Sequence, residues 1–285
     1  MNSMLLKAWL LIAMVTGVAT AGLVKADQTP LILAVHPYLP TPEIVTRFTP
    51  LADYLSAVLG RPVEVRVGRT YDEHIEAVGA DRVDLAFVGP VPYITMVRKF
   101  GHKPLLARLE IDGAPTFLGY IVTREDSPIH TLADLKGKSF AFGDRNSTMG
   151  HVVPHFVLHE AGVDVKDLSR FAFLGAHNNV ALAVLAGDMD AGALKDEAYA
   201  KYRTQGLRVL AQTPPISEHV FVANSKMSSA LIVSLRKALL DLKSHPRGAE
   251  IMRRLNDKLT GMVAVKDADY DSLRTIVDTV AQLRD

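Results

Sequence analysis

Ser147 and Thr148 stand where a strand-like run, Phe140-Ala141-Phe142, and a polar turn, Gly143-Asp144-Arg145-Asn146, give way to a segment from Val152 to Ala161 that reads as a helix. Hydroxyls at a helix start serve one of two chemistries. They cap the helix by accepting a backbone N–H, or they join the unpaired N–H groups and the positive dipole end in holding an oxyanion. Taken alone, Ser147 fits either. His151, His155 and His159 recur along the same segment at a spacing that can hold a metal. No cysteine and no clear carboxylate partner accompany them, so neither a metal nor a cofactor is expected. Pro154 lies beyond the first turn and is expected to kink or tighten the helix start.

Catalysis needs an activated nucleophile or an acid/base pair. The chain has no cysteine, no G-x-S-x-G and no H-E-x-x-H. Ser147 with His177 would be the one candidate dyad, and both are better used as donors to a bound oxyanion. The expectation is a binding protein, not an enzyme; a hydrolase on the same fold is the weaker alternative.

The elements that position these residues alternate. Leu31–Val35, Pro62–Val67 and Val83–Val88 read as strands; Pro42–Leu59, Tyr71–Val78 and Pro92–Phe100 read as helices, the first with Pro50 predicting a kink or break. Strands follow at Pro104–Leu109 and Thr116–Thr123, then a short helix at Leu132–Lys138. Beyond the Ser147 stretch, Phe171–Leu174 is a strand, Asn178–Ala186 a helix and Met189–Leu194 a strand. Leu207–Gln212 and His219–Ala223 complete the strands; Ser228–Leu242, Ala249–Leu259 and Tyr270–Leu283 read as amphipathic helices. Alternation of this kind implies a mainly parallel sheet with covered faces.

A repeat sharpens the plan. Ala77–Ala86 and Ala183–Gly192 each run from a helix end through a turn and an Asp into a strand of small residues, at an offset of 106. The same offset lays Ser147 on Thr41 and His177 on Tyr71. Two α/β lobes of one plan are implied, and ligands of open α/β sheets sit beyond the carboxyl ends of the strands. Two such edges facing one another make a cleft.

The chain has 285 residues, no cysteine, and 32 Lys+Arg against 31 Asp+Glu. Lys7 precedes a short apolar run, Ala8–Val15, and then small residues, which is the pattern of a secretory signal. Cleavage is expected after Ala21 or, preferably, Ala26. Removal of 1–26 leaves a net charge of −1, so no broad basic field invites nucleic acid or an anionic membrane. Without cysteine the exported chain has no disulfide and no lipid anchor, which points to the periplasm.

Phe142–Gly150, Thr70-Tyr71-Asp72, Asp84–Pro90 with Tyr93, and Gly175–Val184 followed by Gly187–Gly192 together resemble the periplasmic phosphonate/phosphite/phosphate-binding proteins of ABC importers. The resemblance implies a two-lobed type II periplasmic-binding-protein fold, with mixed, mainly parallel sheets joined by hinge strands and a ligand cleft between the lobes. It sets 27–118 with 220–285 as lobe 1 and 119–219 as lobe 2. It implies that Ser147, Thr148 and the backbone N–H groups of Met149 and Gly150 hold anionic oxygens. His177 would bond the same group, Tyr71 would donate from the other lobe, and Tyr93 would line the cleft. The function so implied is capture of a small phosphorus oxyanion by a monomer and delivery to a membrane permease. A ligand-sensing partner of a sensor kinase or other receptor is the alternative. Met149 stands where the family often has a third hydroxyl. Lys195 stands where aminoalkyl-phosphonate binders place carboxylates and amides, which argues against 2-aminoethylphosphonate and for a simple oxyanion or one with a second acidic group.

Overall fold

The structure, a computed structural model, describes residues 29–283. The expected signal segment lies outside the described residues. From Leu31 the chain runs β1 (Leu31–Val35), α1 (Thr41–Leu59), β2 (Val63–Val67), α2 (Tyr71–Gly79), β3 (Leu85–Val88), α3 (Pro90–Phe100), β4 (Leu105–Ile111), β5 (Thr116–Phe117) and β6 (Gly119–Arg124). It continues β7 (Ser139–Phe142), a π-helical turn (Thr148–Val152), α4 (Val153–Glu160), β8 (Arg170–Phe173), α5 (His177–Ala186), β9 (Ala191–Lys195), α6 (Asp196–Tyr202) and β10 (Leu207–Gln212). The last elements are β11 (Ile216–Ser217), β12 (Val220–Ala223), α7 (Ser229–Asp241), α8 (Gly248–Leu255), β13 (Leu259–Val263) and α9 (Asp271–Gln282).

Two sheets result, ordered β13-β4-β12-β3-β1-β2 and β10-β6-β9-β7-β8. In the first, β2, β1 and β3 run parallel and β12 joins β3 antiparallel; in the second, β8, β7 and β9 run parallel and β6 joins β9 antiparallel. The plan is the same, as the repeat implies. In each unit the antiparallel strand is the first one the chain enters after leaving the other sheet. The two crossing segments, β5 and β11, pair with one another as an antiparallel ribbon.

The repeated aspartates have matching tasks. A carboxylate oxygen of Asp84 accepts the N–H of Ile32 at 2.8 Å, and one of Asp190 accepts the N–H of Ser139 at 2.8 Å. Each fastens the start of the central parallel strand to the turn before its neighbour. The inner parallel strands β1, β3 and β7 are apolar on both faces because helices cover both. β3 and β7 are buried at every residue.

Four local expectations are corrected. α1 runs unbroken through Pro50: the carbonyl that loses its donor belongs to Thr46, on the exposed face, where solvent can reach it. The segment at Thr116–Thr123 is two strands, and the helix expected to reach Leu259 stops at Leu255, leaving Leu259–Val263 to form the edge strand β13. The helix start at Ser147 is widened, not tightened. Both His151 and Val152 donate to the Ser147 carbonyl at 3.1 Å, and Val153 donates to Thr148. Pro154 has no N–H to offer the carbonyl of Gly150, which instead accepts the N–H of Gly143 at 2.7 Å. Widened turns of this kind are frequent at functional sites.

Candidate ligand-binding site

The helix starts of the two units converge on one small cavity lined by His36, Tyr38, Tyr71, Gly89, Pro92, Phe117, Ser147, Thr148, Met149, His177, Lys195 and His219. Its free volume is small, about 10 Å³, on the scale of one ordered water. Beside it lies a vestibule of about 820 Å³ by the same measure, sharing Tyr38, His177 and Lys195 and bordered by Arg47, Arg253 and Arg254.

Ser147 is both the cap and a cavity residue. Its hydroxyl oxygen accepts the N–H of Gly150 at 3.0 Å, which leaves its proton to donate. Tyr71, from the other unit, lines the same cavity. Thr148 works in the same way: its oxygen accepts the N–H of Val91, at the start of α3, at 3.0 Å. The N–H groups of Thr148 and Met149 precede the first intrahelical bond and face no acceptor among the described residues. Met149 lines the cavity, with its sulfur 3.6 Å from the Thr213 hydroxyl.

His177 opens α5, and its Nδ1 accepts the backbone N–H of Lys195 at 3.3 Å. Burial, reinforced by the Lys195 charge, lowers its pKa to about 4, so the ring is neutral and its proton sits on Nε2 as a donor. The buried Lys195 ammonium lies 4.0 Å from carboxylate oxygens of both Glu197 and Glu218 and over the Phe117 ring. Burial opposes its charge, but Glu218, Glu197 and Asp196 more than offset this and hold the pKa above the usual lysine value. Glu218, fully buried, is itself opposed by burial, yet Lys195 and His219 bring its pKa down to about 2.

Two expected contacts are not made. Tyr93 is buried away from the cavity; its hydroxyl donates to Asp267 at 2.7 Å and its ring packs on Tyr270. The N–H of Gly150 is taken by Ser147 and is not offered to a ligand. Gly150 serves closeness instead. A Cβ there would come within 2.7 Å of the Ser147 hydroxyl and 3.1 Å of Gly143 Cα. Of the three histidines of the Ser147 segment, His151 and His155 keep their rings 5.4 Å apart and His159 turns to another partner. His151 bonds the carbonyl of Arg145 and His159 pairs with Asp164, while His155 packs against Phe142.

Sequence reasoning passed over His36, Tyr38 and His219. His36 and Tyr38 follow β1 and His219 precedes β12, so each reads locally as a strand terminus. The available signal was position, because His36 lies at the carboxyl edge of a parallel strand, where ligands of such sheets sit.

Residues 33–270 match the family model described as "ABC transporter, phosphonate, periplasmic substrate-binding protein". The chain belongs to this family. It is 30% identical over 270 residues to the "Phosphate-import protein PhnD" of Mycolicibacterium smegmatis, a match covering 86% of this chain and 84% of that protein. It is 23% identical over 238 residues to the "Probable ABC transporter phosphite binding protein PhnD1" of Prochlorococcus marinus, covering 79% and 73%. The solved structure of PhnD1 from Prochlorococcus marinus in complex with methylphosphonate shares the fold, with a TM-score of 0.81, 21% identity, and 88% and 98% of the two chains covered. A binding protein of an ABC phosphonate transporter from Pseudomonas aeruginosa does so with a TM-score of 0.80 and 22% identity, covering 88% and 86%. The family consists of substrate-binding components of importers that act with a membrane permease in the periplasm.

Proposed function

We propose that this protein captures a small phosphorus oxyanion (phosphate, phosphite or a short alkylphosphonate) without transforming it. The lobes 27–118 with 220–285, and 119–219, would part and close about the β5–β11 ribbon, and the closed form would present the ligand to the permease. The observation that carries this reading is the convergence of donors from both units on one cavity: Ser147, Thr148, His177 and Lys195 from one side, and Tyr71 from the other. A near-neutral protein must meet an anion with a local site, and this is one. The names of the relatives, which read phosphate, phosphite and phosphonates, point the same way.

The surroundings favour a small substituent on phosphorus. Pro92, Met149 and Phe117 are the apolar edges of the cavity, which suits a hydrogen or a methyl group. An ammonium tail would meet Lys195. Calorimetry with phosphate, phosphite, methylphosphonate and 2-aminoethylphosphonate tests the reading. Binding of at least one of the first three, weakened about 1–3 kcal/mol in Ser147→Ala and in His177→Ala, is expected. Folded protein that binds none of them overturns it.

A further inference from the structure

The neighbours of three buried histidines fix which of their cavity-facing nitrogens carries a proton. His177 accepts from the Lys195 N–H through Nδ1, so its Nε2 is a donor. His36 is reversed. Its Nδ1 lies 3.2 Å from the Phe87 carbonyl, which can only accept, so Nδ1 carries the proton and Nε2 holds a lone pair. His219 is reversed in the same way. Its Nδ1 lies 2.6 Å from a Glu218 carboxylate oxygen, and its Nε2 is directed toward Gly89, on the cavity wall. His36 and His219 stack on one another at 5.4 Å, nearly parallel.

Their surroundings keep both rings neutral. His36 is packed among Tyr38, Tyr71, His74, Phe87 and His219. Burial first, then His219, His74 and Lys195, drive its pKa well down. His219 faces Glu218, Lys195, His36, Phe87 and Phe117; burial and Lys195 lower its pKa against the opposing pull of Glu218 and Glu197. Two neutral acceptors therefore stand in a cavity whose other polar groups are donors. An oxyanion that bears no hydrogen would leave both acceptors unpaired inside the protein, which is costly.

We propose that His36 and His219 form an acceptor wall that selects a protonated oxyanion, taking the hydrogen of a P–OH group while Ser147, Thr148, His177 and Lys195 hold the bare oxygens. This rests on the oxyanion reading above and goes beyond it by naming the ionic form. It also excludes isosteres by chemistry instead of size. Sulfate and alkylsulfonates carry no hydrogen at neutral pH and so fail at this wall.

Methylphosphonate and methanesulfonate have nearly the same shape and differ in that hydrogen. Calorimetry at pH 7 is expected to show methylphosphonate bound at least about 100-fold more tightly, on the scale by which a site built for a ligand hydroxyl rejects its analogue. The 31P resonance of bound methylphosphonate is expected to stay at the monoanion position as the pH is raised past the free ligand's second pKa. His36→Phe and His219→Phe, which keep a ring in the stack, are expected to shrink the preference to under about tenfold. Methanesulfonate bound within threefold of methylphosphonate overturns the proposal, as does a bound 31P shift at the dianion position, which needs no variant. Both variants folding with the preference intact removes the histidines from the role. Binding of neither ligand, nor of phosphate or phosphite, would instead count against the oxyanion reading itself.

Discussion

The hydroxyl oxygen of Thr148 accepts the backbone N–H of Val91 at 3.0 Å, so the helix start of one unit is bonded to the helix start of the other. The bond uses a lone pair and leaves the Thr148 proton to reach the cavity. One side chain thus joins the units and holds the ligand. Thr148→Val removes both functions and strands the buried Val91 N–H. Calorimetry with phosphate is expected to show a loss of about 1–3 kcal/mol, and Thr148→Ser to recover most of it.

Lys195 and Glu218 are buried charges that compensate each other across 4.0 Å. Removing either takes from the other its largest opposing charge. Lys195→Met and Glu218→Gln are each expected to destabilise the protein by about 3–5 kcal/mol in urea unfolding. The double variant should lose much less than the sum, because the penalty being measured is shared.

Acid should unfold the protein through its histidines. His36 and His219 have lowered pKa values, and His74 and His177 are brought to about 4 by burial first. The unfolded chain binds protons at these sites near pH 6.5 and the folded one does not, so the stabilisation is complete above that pH. It is lost as the pH falls below about 6.5, for His74 and His177 down to about 4 at about 1.4 kcal/mol per pH unit each. Thermal melts from pH 7.5 to 4.5 should show a falling Tm. His74→Gln, behind the cavity, should make the fall shallower.

Gly150 and Gly143 approach so closely that a side chain on either must displace the other's backbone: a Cβ on Gly143 would lie 3.0 Å from Gly150 Cα. Gly150→Ala also drives into the Ser147 hydroxyl. It is expected to abolish phosphate binding measured by calorimetry, with a fall in Tm of several degrees, as for about 1–2 kcal/mol in a protein of this size.

The parallel cores of both units were legible because strands covered on both faces read as unbroken apolar runs, as in Leu31–Val35 and Phe140–Phe142. The repeat was legible through Asp84 and Asp190, and the structure supplies the reason, since both carboxylates fasten a strand start. The edge strand β13 was not, because Leu259-Thr260-Gly261-Met262-Val263 directly follows an amphipathic helix and contains a glycine. α6 was missed because Asp196-Glu197 reads as a polar loop. Ser147, Thr148, Met149, His177, Lys195 and Tyr71 meet as expected. His36 and His219 meet them only because β3 lies between β1 and β12, pairing parallel to one and antiparallel to the other. A sheet order of that kind is set by long-range packing, and no local spacing records it. Tyr93 misled because its hydroxyl answers Asp267, 174 positions away in the chain.

A crystal structure of the protein grown with methylphosphonate tests the central claim most directly. The account predicts the phosphonate in the inner cavity, with oxygens at about 2.7–3.1 Å from the Ser147 hydroxyl, the Thr148 and Met149 N–H groups and His177 Nε2. A ligand seated only in the vestibule beside Arg253 and Arg254, with the inner cavity closed as it stands here, would contradict it.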